Sequence, residues 1–208
     1  LDVIIMIIST KLTLSSEEQL LVNDPGWILT KRSIIEKAVL LLSKLAENIR
    51  PVIDTSKDNL PMEVVLSEPK ISKGENYQLL PYVLLDYPRC FDKENIFAVR
   101  TMFWWGNFFS ITLHLSGTYK KAFEVALINN IEIIRQGNYY ICVNEDQWHH
   151  HFEPGNYFAV TGRTDAEITA AIQKRLFVKL AKKFPLVQWN EMPMLLENAF
   201  LGMMELIK

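Results

Sequence analysis

His114 is the residue best placed to do chemistry in this chain. It lies in Thr112-Leu113-His114-Leu115-Ser116, where Phe109, Ile111, Leu113 and Leu115 alternate with Ser110, Thr112, His114 and Ser116. Such alternation describes a half-buried strand, with the imidazole on the polar face beside Thr112. A neutral imidazole serves as acid or base because its ordinary pKa, about 6.5, lies near working pH. A second cluster is His149-His150-His151, set among Glu145, Asp146 and Glu153. Imidazole and carboxylate together suit zinc, nickel or ferrous iron. Neighbouring extended residues point to opposite sides, so His149 and His151 are the pair able to share an ion, with Glu153 as third ligand.

The other candidates bind rather than react. Asp86-Tyr87-Pro88-Arg89 reads as a turn in which Asp86 and Arg89 pair with each other, or in which a free Arg89 holds a carboxylate or phosphate. Thr101 is expected opposite Thr112, on the same polar face as His114. Trp148 stands in a polar loop beside the histidines, which suggests a contact. Phe103, Trp104, Trp105, Phe108 and Phe109 either stack a ligand or pack beneath a helix, and core packing is the expectation. Arg100 should pair or lay its stem along apolar surface. Cys90 and Cys142 sit in apolar runs and read as packed, reduced thiols.

His114-Leu115-Ser116 resembles half of the two-histidine phosphoesterase signature, which is histidine, any residue, then Thr or Ser. Those enzymes use two copies. His149, His150 and His151 have no Thr or Ser two places on, so the resemblance assigns no role. The chain has no GxGxxG, no Walker loop, no G-x-S-x-G and no H-E-x-x-H. Their absence speaks against dinucleotide binding, P-loop hydrolysis, the α/β-hydrolase triad and zincin chemistry.

Several elements are expected to position these residues. Ser15 with Glu18 forms a capping box for a short helix to about Val22. A second helix is expected from Thr30 to Pro51, with Ile35, Ala38, Leu42, Leu45 and Ile49 as its apolar stripe. This helical part, 10–50, either covers the sheet or forms the interface of a homodimer. A short strand is expected at 63–66, a loop at 69–76, and strands at 77–87, 97–105, 108–115, 139–143 and 157–160. Gly106-Asn107 reads as a two-residue hairpin turn, which would set Thr101 against Thr112 and Val99 against His114. Helices are expected from Gly117 to Arg135 and from Pro193 to Ile207. Thr164 and Glu167 cap another helix, expected to run on to Phe184 and stop at Pro185. Gly137 is expected to be the left-handed residue closing the helix before it.

The fold class read from this order is α+β: an antiparallel sheet of about five strands with helices on one face, in a single domain over 1–208. Net charge is −2 and no basic run exceeds two residues, so charge-driven binding to nucleic acid or membrane is not expected. The apolar start, LDVIIMIIST, is too short to span a bilayer and reads as a strand. The expected setting is cytoplasmic, without a cofactor. The leading functional reading is a small-ligand or protein-binding domain. The alternative is a hydrolase or metal-dependent enzyme built on His114 and the 145–153 loop.

Overall fold

The computed structural model describes residues 12–208. The apolar start read as a strand lies outside the described residues. The chain divides into two compact units, Leu1–Ala38 and Val39–Lys208. In the first, α1 (Ser16–Val22) opens with the expected capping box: the Glu18 N–H donates to Ser15 Oγ and the Ser15 N–H to Glu18 Oε2. Helix α2 (Pro25–Thr55) starts earlier than Thr30. The Gly26 N–H donates to Asp24 Oδ1, and proline at a first helical turn costs no intrahelical bond. The helix also runs through Pro51 instead of stopping there. Ile53, two residues on, is fully buried, and that packing outweighs the single backbone bond that Pro51 cannot make.

The second unit is α+β. Its sheet has seven strands rather than about five, all paired antiparallel: β1 (Lys70–Tyr77), β2 (Leu80–Phe91), β3 (Ile96–Trp104), β4 (Phe108–Ser116), β5 (Tyr140–Cys142), β6 (Tyr157–Ala159) and β7 (Phe177–Pro185). Their order is β1-β2-β3-β4-β7-β5-β6. The helices are α3 (Met62–Val65), α4 (Gly117–Asn129), α5 (Ile131–Gln136), α6 (Asp165–Lys174) and α7 (Met192–Glu205). The expected strand at 63–66 is the short helix α3, and the expected loop at 69–76 is strand β1. Residues 86–89 are not a turn: β2 continues through them with a register shift against β3.

The largest correction is β7. The helix capped by Thr164 ends at Lys174, and Phe177–Pro185 is a strand between β4 and β5. Neither glycine nor proline marks the boundary. Arg175 simply turns extended, at φ −105° and ψ 162°. The helix expected from Gly117 to Arg135 is likewise two, α4 and α5. Gly137 keeps a right-handed conformation, and Asn138, at φ +53°, takes the left-handed position instead.

The β3–β4 turn has three residues, not two. Trp104 pairs with Phe108, and the Asn107 N–H donates to Trp104 O across Gly106, whose φ is +71°. Trp105 leaves the β3–β4 ladder, and its N–H bonds Pro81 O on the β2 side. The shift of one residue changes which β3 side chains share a face with His114. Arg100 now lies opposite Thr112, and Ala98 opposite His114.

The two sheet faces therefore divide sharply. Phe97, Val99, Thr101 and Phe103 share one face with Leu115, Leu113, Ile111 and Phe109. Phe97 meets Tyr119 and Phe123 of α4 edge-on, and Phe103 and Phe109 both meet Trp189. Phe103 and Phe109 thus belong to the core, while Trp104 and Phe108 lie on the other face and meet each other, Tyr77 and Phe152 edge-on. Met192, Met203 and Met204 of α7 are buried as well, whereas Met194 is exposed. The opposite face carries Asp86, Arg100, Thr112, His114 and Lys179, and it is covered by the segment 143–156.

Candidate functional site

Backbone pairing alone brings the polar residues of this second face together. Asp86 on β2 pairs with Arg100 on β3, Arg100 with Thr112 on β4, and His114 with Lys179 on β7. Adjacent strands lie about 4.8 Å apart, so one patch spans four strands. Its polar residues are buried: Asp86 is 6% exposed, Thr112 5%, His114 4% and Lys179 1%. Two small residues lie beside them, Ala98 opposite His114 and Ala181 opposite Thr112.

The segment 143–156 fills the space above. It leaves β5 and returns to β6, closed at its base by the Val143 N–H donating to Asn156 O at 2.7 Å. Inside it, Asn144 and Asp146 accept from the N–H two residues on. These turns aim successive side chains to opposite sides, as the sequence predicts for the three histidines. His149 and His151 face each other, with Nδ1 and Nε2 3.3 Å apart, and His149 Nε2 lies 3.2 Å from Asp146 Oδ2. Among the described residues, no group of three or more His, Cys, Asp or Glu could hold a metal ion. His150 turns the other way, toward the sheet.

Each sheet residue meets the loop through a defined bond. His114 Nε2 lies 2.9 Å from Gln147 Oε1, so the imidazole donates and carries its proton on Nε2. Trp148 stands edge-on to the same ring, with centroids 5.8 Å apart. Lys179 Nζ donates to Gln147 O at 2.9 Å and His149 O at 2.6 Å. Arg100 binds Asp86 through both forks, at 2.7 and 2.9 Å, and its third nitrogen lies 3.1 Å from His150 Nε2. A guanidinium only donates, so His150 Nε2 accepts and the proton of its neutral ring sits on Nδ1. The Tyr77 hydroxyl accepts from the His150 and His151 N–H groups at 2.7 and 3.1 Å. Arg175 donates to Asn144 O and Val143 O. Beneath the far end, Phe152 stacks on Tyr157 and meets Phe108 and Tyr140 edge-on.

This environment disfavours charge on the imidazoles. Burial, with help from Lys179 and Arg100, pushes the His114 pKa down to about 3, against the opposing bond to Gln147. Burial likewise holds His150 well below the ordinary histidine range. The Lys179 ammonium is pushed down to about 8, chiefly by burial, with Arg100 adding to the effect while Cys142 and Asp146 oppose it. Burial raises the Cys142 thiol and the Tyr157 phenol. His114 is therefore a neutral hydrogen-bonding group at physiological pH, while Lys179 remains largely charged without an ion-pair partner among the described residues.

The sequence candidates separate accordingly. Asp86, Thr112, His114 and Trp148 come together at this face. Thr101 sits on the opposite face, against Ile111 and Leu85, because the longer hairpin turn moved the register. Arg89 does not meet Asp86; its Nε donates to Glu68 O at 3.1 Å. His149, His151 and Glu153 lie on the loop, with the two imidazoles turned to each other. Lys179, Gln147 and Tyr77 are not among the site residues the sequence offers, His150 stands there only as the odd member of the histidine run, and Arg100 lacks its partner. The alternation of Phe177, Lys179, Ala181 and Lys183 was the available signal for β7, and with it for Lys179.

No protein-family model, curated protein or solved structure matches this chain.

Proposed function

We propose that this chain binds a small ligand on the sheet face covered by the 143–156 loop, and that it does so as a binding protein rather than as an enzyme. One observation carries the reading. His114 and Lys179, from neighbouring strands, spend their side-chain hydrogen bonds on one loop, Arg100 adds a contact to His150 of that loop beside its ion pair with Asp86, and the small residues Ala98 and Ala181 lie next to them. Loops carry function because they move on a rigid scaffold, and the sheet below supplies that scaffold. Displacing the loop would uncover donors on a fixed surface. The two free thiols, Cys90 and Cys142, fit the reducing cytoplasmic setting that belongs to the same proposal.

Native mass spectrometry of protein prepared without a tag tests this. His114→Ala should reduce retention of any small molecule that co-purifies. Equal retention by both proteins would remove His114 from the site and the proposal with it.

A second reading, a hydrolase or metal-dependent enzyme, draws support from the reach of the loop to His114. Its weakness is chemical. The partner of His114 is a carboxamide rather than a carboxylate, and burial keeps the ring from taking up a proton near pH 7. A stoichiometric transition metal in tag-free protein would favour the enzyme over the binder.

A further inference from the structure

The two buried cations of the covered face differ in one respect. Arg100 is balanced by Asp86 through a two-pronged ion pair. Lys179 is 1% exposed, yet its polar partners are two neutral carbonyls, with the Tyr157 ring 5.3 Å away. Asp146 acts on this ammonium only at a distance, so a buried charge whose hydrogen bonds all go to dipoles is poorly compensated, and a countercharge in bonding contact would satisfy it better. The acceptors now on the patch come from a short stretch of loop. Gln147 places its side-chain oxygen on His114 and its carbonyl on Lys179, and His149 adds a second carbonyl to Lys179. His114 and Lys179 face each other across β4 and β7, and each donates to Gln147.

Three oxygens gathered on an ammonium and an imidazole N–H have the chemistry of an oxyanion's oxygens. Building on the binding reading above, we infer that the ligand carries a carboxylate or phosphate group that seats between Lys179 and His114 in place of Gln147. The loop then acts as a resident stand-in for the anion, and binding exchanges its carbonyls for charged oxygens. An oxyanion adds a charge–charge attraction to the ammonium that a carbonyl dipole lacks, and in a buried site of low dielectric that attraction gives the exchange its direction. The residues opposite His114 and Thr112 on the neighbouring strands are small, Ala98 and Ala181.

The test is a titration of the full chain with inorganic phosphate, acetate and the neutral analogue acetamide, at constant ionic strength, followed by backbone amide NMR. Phosphate, acetate or both should saturably shift the amides of residues 147–151, and acetamide should not; whichever of the two oxyanions binds more tightly names the group. Lys179→Met should weaken this binding at least about tenfold, since it removes the charge while keeping an apolar stem of similar length. Gln147→Ala removes the stand-in from a partly exposed loop position and should tighten it. Equal affinity in Lys179→Met would overturn the assignment. So would the absence of a saturable response to either anion in both wild type and Gln147→Ala, and so would shifts spread over the whole surface, which mark an adventitious ion only. If oxyanions fail while His114→Ala still releases a co-purifying neutral molecule, the binding site stands and its anionic character falls.

Discussion

At the scale of single residues, the chemistry turns on which groups are charged when buried. His114 is the clearest case, and its effect on stability has a definite sign. An unfolded chain protonates this histidine near pH 6.5, whereas the folded site resists protonation down to about 3. Between those values the unfolded state binds more protons. Stability contributed by the neutral, buried ring is therefore fully present above pH 6.5 and is lost as pH falls toward 3, by up to about 1.4 kcal/mol per pH unit. His150 acts in the same direction. Chemical denaturation at a series of pH values should show stability declining below about pH 6.5, and His114→Gln should remove one proton's worth of that slope. A slope identical in the variant would mean that His114 titrates normally in the fold. The residue itself was legible in the sequence, because strict alternation put it on a polar face. Its partners were not. Gln147 lies 33 positions away and Lys179 65, and no local pattern encodes which loop settles on which strand.

At the scale of elements, the hairpin and β7 decided what the sequence could disclose. Capping boxes at Ser15 and Thr164 are local chemistry, so the helices they start were readable. The β3–β4 hairpin was readable as a hairpin, but its register hung on one residue of turn length, and that residue moved Thr101 away from the site while bringing Arg100 in. Strand β7 was missed because three lysines in Phe177–Pro185 resemble a helix surface. They are tolerated in the sheet because Lys179 finds loop carbonyls and Lys182 and Lys183 rest over tyrosine rings. The junction from β4 to α4 is a second place where geometry is exacting. Gly117 has φ +57°, and a Cβ there would fall 2.6 Å from the Glu94 carbonyl and 2.3 Å from Asn95 Oδ1. Gly106 also has a positive φ, of +71°, but a Cβ there would meet nothing within 4 Å. Gly106→Ala should therefore cost about 1 kcal/mol, from backbone strain alone. Gly117→Ala should cost at least about twice as much, because it adds a backbone clash that a side-chain rotation cannot relieve. Comparable losses for the two variants in urea titrations would show that the β4–α4 junction relaxes around the added methyl.

At the scale of the molecule, the chain separates into units at 38/39, and among the described residues nearly all of the buried apolar ones lie beyond that point. The sequence reads as one domain over 1–208, since no proline- or glycine-rich linker interrupts it, and helix α2 runs through residues 38 and 39 without a break. In the second unit, Leu42, Leu45, Ala46, Ile49 and Ile53 of that helix are buried, and so are both layers of the sheet core. In the first, α1 buries no residue, and Trp27, Ile28 and Leu29 are each about half exposed or more. With so few apolar residues buried among its described residues, 12–38, this stretch contributes little of the hydrophobic free energy that balances chain entropy. The candidate site, from Tyr77 to Lys179, lies wholly within the second unit. A chain of residues 39–208 should therefore unfold cooperatively, with a midpoint close to that of the full chain, and should give the same amide spectrum over residues 143–156. Loss of cooperative unfolding on truncation would make the first unit part of one folding domain and return the division at Ala38 to a local feature of α2. Retention of the fold with a changed spectrum at 143–156 would instead tie the first unit to the site.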